Sequence, residues 1–313
     1  MNAAGGERRA PEGASAASDQ MSVPTPGLLQ PSPEHLDPGR VVEVDADVGS
    51  IWLERDAELM TPSVIENGFW APELTGFMRD ALRPGMTVVD VGANIGYFSV
   101  LASKLVGSKG RVICVEVDPD NVEILRANLW KNGCSNASVL QVAAWDETTQ
   151  LSLRTNPAGG AGSYVDATSG DASVLAVRLD EVIEGPVHYM KVDCESTDHM
   201  VVSGAAGLIR AKPTMVMTVE FNPGHTSHTG HPPGQILDLY RGLDLRPYAI
   251  RISGRIVPTD FTELAASRSG EGETIFDFVL CRRLPLRLLS YSYRQRFYEL
   301  RLRRRGLLGV NSA

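Results

Sequence analysis

Residues 88–99 read Val-Val-Asp-Val-Gly-Ala-Asn-Ile-Gly-Tyr-Phe-Ser, and this stretch decides the fold. Its valines, with Thr87 before them, are β-branched residues typical of a strand that is buried on both faces. Apolar residues then recur at helical spacing from Tyr97 to Val106, so the segment predicts strand, tight turn and helix. Glycines at both ends of the turn let the backbone approach a ligand, and the N–H groups at the start of the helix favour an anion.

Two ligand classes compete for such a turn. A nicotinamide or flavin site needs Gly-x-Gly-x-x-Gly, with its second glycine open to a diphosphate. The spacing here differs, and an asparagine occupies the place of that second glycine. The turn therefore favours S-adenosylmethionine, whose methionine carboxylate suits the helix start, and a buried turn without a ligand is the remaining alternative. The residues expected in the cofactor loop are Asp90, Gly92, Ala93, Asn94 and Gly96.

Composition narrows the class of protein. The 313 residues carry a formal net charge of −8, which argues against a general nucleic-acid surface and favours small-molecule substrates. Four cysteines stand at no paired or metal-ligand spacing, which indicates a reducing compartment. The sequence has no signal-peptide pattern and no apolar run long enough for a membrane helix, so we expect a cytoplasmic protein without an integral membrane segment.

The chain divides into a leader expected to be disordered, a strand pair followed by a lid helix, a cofactor domain and a basic amphipathic tail, at residues 1–40, 41–85, 86–281 and 282–313. The strand pair is expected at 41–52 and the lid helix at 72–82. The arginine-rich tail would contact a membrane surface, an anionic partner or a second copy in a homodimer, or would be a solvated helix packed on the domain.

Strands and helices alternate through the cofactor domain, which predicts an α/β fold: a mostly parallel seven-stranded sheet with helices on both faces and the last strand antiparallel. A hairpin is expected to interrupt this alternation between 150 and 180, around a glycine-rich loop at 159–163. The strands are predicted at 87–91, 111–116, 138–144, 187–193, 214–221, 245–250 and 274–281, and the main helices at 97–106, 119–132, 198–209 and 235–242.

The second and third strands end in further cofactor candidates. Glu116 lies about twenty residues beyond the glycine turn, where an acid can accept both hydroxyls of a ribose. It could instead serve the start of the next helix, but Asp118 already supplies that cap, so Glu116 is expected to be free for the ribose. Val117 lies beside it. Ala143 would leave room for an adenine ring, and Gln141 would bond that ring or begin the next turn.

An acidic cluster follows the fourth strand. Asp193, Glu195 and Asp198 crowd the carboxyl end of a central strand, where open α/β sheets bind ligands. Like charges in a cleft are unfavourable unless hydrogen-bond donors, ion-pair partners or a cation compensate them, so this cluster indicates a site. Lys191 is expected to offset part of the repulsion between the carboxylates. Asp193 is expected both to bind the cofactor and to orient the substrate.

The fifth strand ends at Glu220 and leads into a loop that holds three histidines, His225, His228 and His231. These histidines could bind a metal with Asp193 or Glu220, since imidazole and carboxylate suit zinc, iron or manganese. A polar loop that contributes one general base is favoured over a metal site. Glu220 or His225 is therefore the candidate base, and no metal is expected.

These segments together resemble the FkbM family of S-adenosylmethionine-dependent methyltransferases, above all at Lys191-Val192-Asp193-Cys194-Glu195-Ser196-Thr197-Asp198, followed by Ser203-Gly204-Ala205. The resemblance covers roughly residues 60–281 and implies the class I, Rossmann-like methyltransferase fold. Its members methylate oxygen atoms, often hydroxyls of sugars or of polyketide-like secondary metabolites. Ser196, Thr197 and Asp198 depart from the family's Gly-Ala-Glu, and Val117 replaces its more usual proline.

The predicted reaction is displacement at the sulfonium methyl group by a substrate hydroxyl. It needs alignment of the nucleophile and a base for the alcohol proton. Two other classes stay open at this point: a non-catalytic S-adenosylmethionine-binding protein of the same fold, and a nicotinamide oxidoreductase.

Overall fold

A computed structural model describes the chain at residues 27–28, 36–154, 164–166, 170, 172–195, 197–221, 231–250, 256–262, 276–285 and 288. Its strands are β1 Gly27–Leu28, β2 Val41–Ala46, β3 Gly49–Glu54, β4 Thr87–Val91, β5 Arg111–Val115, β6 Ala137–Leu140, β7 Ala143–Ala144, β8 Thr149–Arg154, β9 Tyr164–Asp166, β10 Ala172–Val177, β11 Tyr189–Val192, β12 Val216–Phe221, β13 Arg246–Ile250, β14 Ile256–Pro258 and β15 Phe276–Cys281. Its helices are α1 Met60–Asn67, α2 Pro72–Ala81, α3 Tyr97–Val106, α4 Pro119–Lys131, α5 Leu179–Val182, α6 Asp198–Gly204, α7 Ala206–Ala211 and α8 Pro233–Gly242.

The central sheet has nine strands in the order β1-β6-β5-β4-β11-β12-β15-β13-β14. Strands β6, β5, β4, β11 and β12 are mutually parallel, and β15 inserts antiparallel between β12 and β13. A strand occurs for each one predicted in the main sheet, and the last is antiparallel as expected. The third, predicted over 138–144, ends at Leu140, however, and Ala143–Ala144 pair with β10 in a second sheet. The sheet exceeds the prediction by two short strands, β1 and β14, at its edges.

Alternating side chains of the sheet build a core on each face. Val88 and Tyr189 belong to one cluster, with residues of α3 and α4. Val89 and Met190, each one residue further along its strand, belong to the other cluster, with residues of α6 and α8. The expected helices on both faces are therefore present.

One side chain connects the amino-terminal strand pair to the glycine turn. Asn128 on α4 is fully buried; its Oδ1 accepts from the backbone N–H of Trp52 at 2.7 Å, and its Nδ2 donates to the carbonyls of Trp52 at 2.9 Å and Ile95 at 2.8 Å. Since a buried amide must satisfy its donors and acceptor, Asn128 holds β3, α4 and the turn in one arrangement.

The hairpin predicted between 150 and 180 is present. Strands β8 and β10 pair antiparallel, and β7 and β9 extend them to a four-stranded sheet in the order β7-β10-β8-β9. The glycine-rich loop predicted at 159–163 lies outside the described residues.

Helix α2 is present where the lid helix was expected, but it does not border the cavity described below. Its residues Leu74, Phe77 and Met78 are buried in the core, and the segment 54–61 with Trp70 lies along the cavity instead. The assignment of the lid to α2 is therefore wrong, because its apolar face is used for packing.

Only short parts of the two predicted end regions are described. Within the leader, strand β1 pairs with β6, and residues 36–40 lead into β2. Most of the basic tail lies outside the described residues. Among the helices that the structure does describe, none is both long and apolar enough to cross a membrane.

Candidate functional site

A cavity of about 690 Å³ opens at the carboxyl ends of the central parallel strands, and its volume is in the range of small-molecule sites. Most of its wall comes from four places: the segment 54–61, the glycine turn, the residues that follow β5 and β6, and the ends of β11 and β12. Open α/β sheets bind ligands at this edge, so the topology agrees with the predicted position of the site.

The glycine turn forms one end of the cavity. Gly92, Asn94 and Gly96 have φ values of 69°, 49° and 90°, in the left-handed region that favours glycine and tolerates asparagine. A Cβ on Gly92 would lie 1.8 Å from the carbonyl oxygen of Asp193, and one on Gly96 would lie 2.5 Å from Cδ1 of Leu125. The glycines are therefore needed for contacts within the protein, in addition to any approach of a ligand.

Asp90 supports the turn from behind and is not part of the cavity wall. Its side chain is buried, and Oδ2 accepts a hydrogen bond from the Ser99 hydroxyl at 2.6 Å, which ties β4 to α3. Burial raises the pKa of the Asp90 carboxyl, while the Lys191 ammonium and the Ser99 hydroxyl act to lower it. Asp90 was expected among the cofactor-loop residues, but the structure places it behind the turn and not among the residues that line the cavity.

Glu116 lies on the cavity wall but is not free, contrary to the expectation. Its Oε2 accepts from the backbone N–H of Asn94 at 2.7 Å, and its Oε1 accepts from those of Val117 at 3.0 Å and Asp118 at 2.9 Å. Asp118 caps α4 as expected, by accepting from the Asp120 N–H at 2.9 Å. Burial raises the pKa of Glu116 despite these bonds. An unprotonated Oε2 keeps acceptor capacity beyond its one bond, so a ribose hydroxyl can still be held there.

The next part of the wall contains small apolar residues. Val142, Ala143 and Ala144 line the cavity, as does Val117. Gln141 does not: it is exposed, because β6 ends at Leu140 and the chain bends before β7 begins at Ala143. The proposed contact of Gln141 with the adenine ring is therefore wrong, and Val142 is a wall residue that the sequence reasoning missed.

These features fit the predicted cofactor. The turn offers backbone groups close to the cavity, Glu116 offers an acceptor, and Ala143 and Ala144 leave space for a flat ring. The chemistry of this wall matches a ligand with a carboxylate, a ribose and an aromatic base.

Carboxylates form a second part of the cavity wall, which we call the acidic end. Asp193, Glu195 and Glu220 line it, as predicted for the ends of the fourth and fifth strands. Asp193 is half-buried, with Oδ2 at 2.9 Å from Nζ of Lys191. Asp198 is not on the wall: its Oδ1 accepts from the Cys194 N–H at 3.0 Å, and burial raises its pKa to about 7.

Asp277 is an acid next to this end that the sequence reasoning missed, although it is not among the residues that line the cavity. It lies on β15 directly across from Glu220 on β12. Burial and the charge of Asp193 raise the pKa of Asp277 to about 7, and burial with the charges of Asp193 and Asp198 raises that of Glu220 to about 10. A signal was available, since Asp277 is the one acid within the apolar strand predicted at 274–281.

The candidate base His225 and its neighbour His228 lie outside the described residues. His231 is described, and its ring centroid lies 4.8 Å from that of His199. Within the part of the chain that the structure describes, no group of three or more His, Cys, Asp or Glu side chains is arranged to hold a metal ion.

Comparison with protein families identifies one match, the methyltransferase FkbM domain, over residues 90–246, which is half of the chain. Among curated proteins, protein-L-isoaspartate O-methyltransferase of Methanococcoides burtonii is 36% identical over 72 residues, which are 22% of this chain and 36% of that protein. Ribosomal RNA large subunit methyltransferase E of Acinetobacter baumannii is 58% identical over 38 residues, 12% of this chain and 18% of that protein. The chain thus spans about a third or less of the length of these relatives.

Two solved structures are similar at low identity. A methyltransferase FkbM from Methylobacillus flagellatus KT is 17% identical with a TM-score of 0.40, covering 64% of this chain and 44% of that one. An S-adenosylmethionine-dependent methyltransferase from Aquifex aeolicus is 16% identical with a TM-score of 0.38, covering 71% of this chain and 93% of that one.

Proposed function

Because the chain belongs to the FkbM methyltransferase family, we propose that it transfers a methyl group from S-adenosylmethionine to a hydroxyl of a small molecule. The chain is an S-adenosylmethionine-dependent methyltransferase of the class I fold. The alternatives of a nicotinamide oxidoreductase and of a non-catalytic binding protein are therefore wrong.

The charge of the cavity is the observation that carries the choice of acceptor. Among the described residues that line it, one is basic, Lys191, and seven are acidic: Glu54, Asp56, Glu58, Glu116, Asp193, Glu195 and Glu220. Even with Glu220 protonated and Glu54 paired with Arg40 at 3.0 Å, the remaining carboxylates of this wall repel an RNA phosphate or a peptide carboxylate. A neutral hydroxyl compound avoids this repulsion, and its O–H groups donate to carboxylates.

The curated relatives are named for ribosomal RNA and for L-isoaspartate in proteins, and both are anionic. Their matches cover short parts of the chain, so the identity of the acceptor depends on the cavity of this protein. The wall also contains apolar side chains: Leu59, which is 75% exposed, Met60, Trp70 and Val165. This combination supports an acceptor with an apolar body and hydroxyl groups, such as a polyketide-like metabolite or its sugar.

For the cofactor, we assign the turn residues Gly92, Ala93, Asn94 and Gly96 to the methionine part, with Asp90 behind them. Glu116 is assigned to the ribose, and Val117, Val142 and Ala143 to the adenine. Bound S-adenosylmethionine supplies an electrophilic methyl group on a sulfonium cation. The protein's remaining tasks are to align the acceptor oxygen and to remove its proton.

Asp193 is proposed to orient the acceptor hydroxyl, since its carboxylate is held by Lys191 and still reaches the cavity. Glu220 carries a proton at neutral pH in the free protein, because its pKa is raised to about 10. It becomes a base only after that proton leaves, which a positive charge in the cavity favours. His225 is the other candidate base.

A panel of acceptors tests this function. The protein would be incubated with S-adenosylmethionine and hydroxylated polyketides, their glycosides, an isoaspartyl peptide or ribosomal RNA, and S-adenosylhomocysteine would be measured. Turnover is expected only with the hydroxyl compounds, with an ether product that resists mild alkali. Gly92→Ala, which is expected to weaken cofactor binding through the contact of its Cβ with Asp193, is the control for background turnover at limiting S-adenosylmethionine. Methylation of the RNA, or an alkali-labile ester on the peptide, would contradict the proposal.

A further inference from the structure

Lys191 is the buried cation at the junction between the two ends of the cavity. Its side chain is 2% exposed, and Nζ lies 2.9 Å from Oδ2 of Asp193 and 3.7 Å from Oδ1 of Asp90. Nζ also donates to the carbonyl oxygen of Gly92 at 3.3 Å and lies 5.3 Å from the centre of the Phe98 ring. One ammonium group thus contacts β4, the glycine turn and the end of β11.

A buried ammonium is stable only when its surroundings compensate for the lost water. Burial lowers the pKa of Lys191, but the charges of Asp193 and Asp90 outweigh it and raise the pKa above its ordinary value. Lys191 is therefore charged throughout the neutral range. Within the described part of the chain, no group donates a hydrogen bond to Oδ1 of Asp90, so the ammonium is its electrostatic partner.

Two simpler roles need to be separated from a role in the site. Lys191 could serve only to balance the buried charge of Asp90. Alternatively, the backbone alone could hold the site, since the Asp193 N–H donates to the Val91 carbonyl at 3.1 Å and the Asp193 carbonyl lies close to Gly92. Neither role requires the ammonium to contact both Gly92 and Asp193, which is what the geometry shows.

We propose that Lys191 is a positioning residue that fixes the glycine turn and the Asp193 side chain relative to each other. The cofactor loop and the acceptor-side carboxylate then keep one arrangement through a single buried charge. The proposal rests on the proposed function only for the role of Asp193. Binding of S-adenosylhomocysteine does not depend on the acceptor, so it separates a failure of this proposal from a failure of the proposed function.

The test compares Lys191→Met, the double variant Asp90→Asn/Lys191→Met and the surface control Lys109→Met by calorimetric titration with S-adenosylhomocysteine and by thermal unfolding. The double variant removes both buried charges, and its asparagine keeps an acceptor for the Ser99 hydroxyl. We expect Lys191→Met to lower Tm and to weaken binding about tenfold or more. The double variant should recover Tm but not affinity, and Lys109→Met should match the wild type.

Recovery of wild-type affinity in the double variant would overturn the proposal, because charge balance alone would then explain Lys191. Unchanged affinity in Lys191→Met would also overturn it. If Lys191→Met does not fold, the affinity of the double variant for S-adenosylhomocysteine tests the proposal. ¹⁵N-lysine NMR of the wild-type protein provides an independent check. The Lys191 ammonium should exchange its protons slowly and shift when S-adenosylhomocysteine binds, and rapid exchange like that of surface lysines would contradict the geometry.

Discussion

The two ends of the cavity are built from different kinds of group. At the turn end, glycines and backbone amides set the geometry: Gly92 and Gly96 adopt left-handed φ values, and the Glu116 carboxyl accepts from three backbone N–H groups. At the acidic end, Glu220 on β12 lies directly across from Asp277 on the adjacent strand β15, and both carboxyls have raised pKa values. The first end therefore depends on shape, and the second on charge and protonation.

This difference corresponds to two tasks. The cofactor is the same molecule in every turnover, so a fixed backbone shape suffices to bind it. The acceptor has to lose a proton, so its end of the cavity needs titratable groups with shifted pKa values. Substitutions at the turn end should then act on binding, and those at the acidic end should act on turnover and on the pH dependence.

The largest effect is expected on turnover, from loss of a general base. Removal of a general base typically lowers turnover by about 100- to 10,000-fold, so His225→Ala should do so if His225 takes the acceptor proton. Binding of S-adenosylhomocysteine, measured by calorimetry, should stay near the wild-type value. His228→Ala is the matched control from the same loop. Full activity in His225→Ala would leave Glu220 as the candidate base, and a loss of S-adenosylhomocysteine binding would show that His225 serves the cofactor and not the acceptor.

The second-largest effect is expected from a steric change at the turn end. Gly92→Ala has a left-handed φ and puts a Cβ 1.8 Å from the Asp193 carbonyl oxygen. Because this oxygen belongs to the backbone, relieving the clash requires a shift of the main chain. We expect binding of S-adenosylhomocysteine to weaken by about 100-fold, with an unfolding free energy lowered by more than the roughly 1–2 kcal/mol of left-handed strain alone.

Gly85→Ala separates the two contributions. Gly85 also has a left-handed φ, of 85°, but a Cβ there would meet nothing within 4 Å. This variant should carry the strain and leave binding unchanged. Equal effects of the two variants would show that strain, and not the contact with Asp193, explains the need for glycine in the turn.

A smaller loss of binding is expected when the carboxylate beneath the turn is removed. Glu116→Ala leaves the N–H groups of Asn94, Val117 and Asp118 without their acceptor and removes a candidate ribose contact. Loss of a charge-assisted bond costs about 1.5–3 kcal/mol, so affinity for S-adenosylhomocysteine should fall roughly tenfold or more. Glu147→Ala on the surface is the control. Unchanged affinity in Glu116→Ala would remove this residue from the cofactor site.

The turn end could be predicted because its signals are local. A β-branched strand, two glycines and a helical repeat lie within one short segment, and helix α3 occupies the predicted residues 97–106. The cap at Asp118 and the register that brings Asp193 to the cavity follow from similar short-range patterns.

The rest depended on contacts between distant parts of the chain. Asp277 comes to lie beside Glu220 only because β15 returns antiparallel next to β12, and the segment 54–61 reaches the cavity only through the packing of the amino-terminal strand pair. Gln141 is exposed to solvent because the chain bends after Leu140, and the spacing of residues in the sequence does not predict that bend. Glu116 was expected to be free because Asp118 supplies the helix cap, but its carboxylate accepts from three backbone N–H groups, and residue types do not reveal such bonds.

The smallest effect, on stability, tests the protonation of the acidic end. The folded protein binds a proton at Glu220 up to a pKa of about 10, against an ordinary value of 4.5, and at Asp277 up to about 7, against 3.8. For a raised pKa, the stabilisation is complete below the ordinary value and is lost as the pH rises through the folded value.

Glu220→Gln and Asp277→Asn remove this pH-dependent loss. Each variant should therefore leave the free energy of unfolding nearly unchanged in acid and raise it above neutral pH. We expect a gain on the order of 1–2 kcal/mol, or a few degrees in Tm, measured by thermal unfolding between about pH 5 and pH 9. Because the two carboxyls face each other, removal of one eases ionisation of the other, and the double variant should gain less than the sum of the single variants. Glu147→Gln provides the surface baseline. A gain that does not grow with pH, or additive gains, would show that the two groups titrate as ordinary, separate carboxylates and that the acidic end does not hold a proton in the free protein.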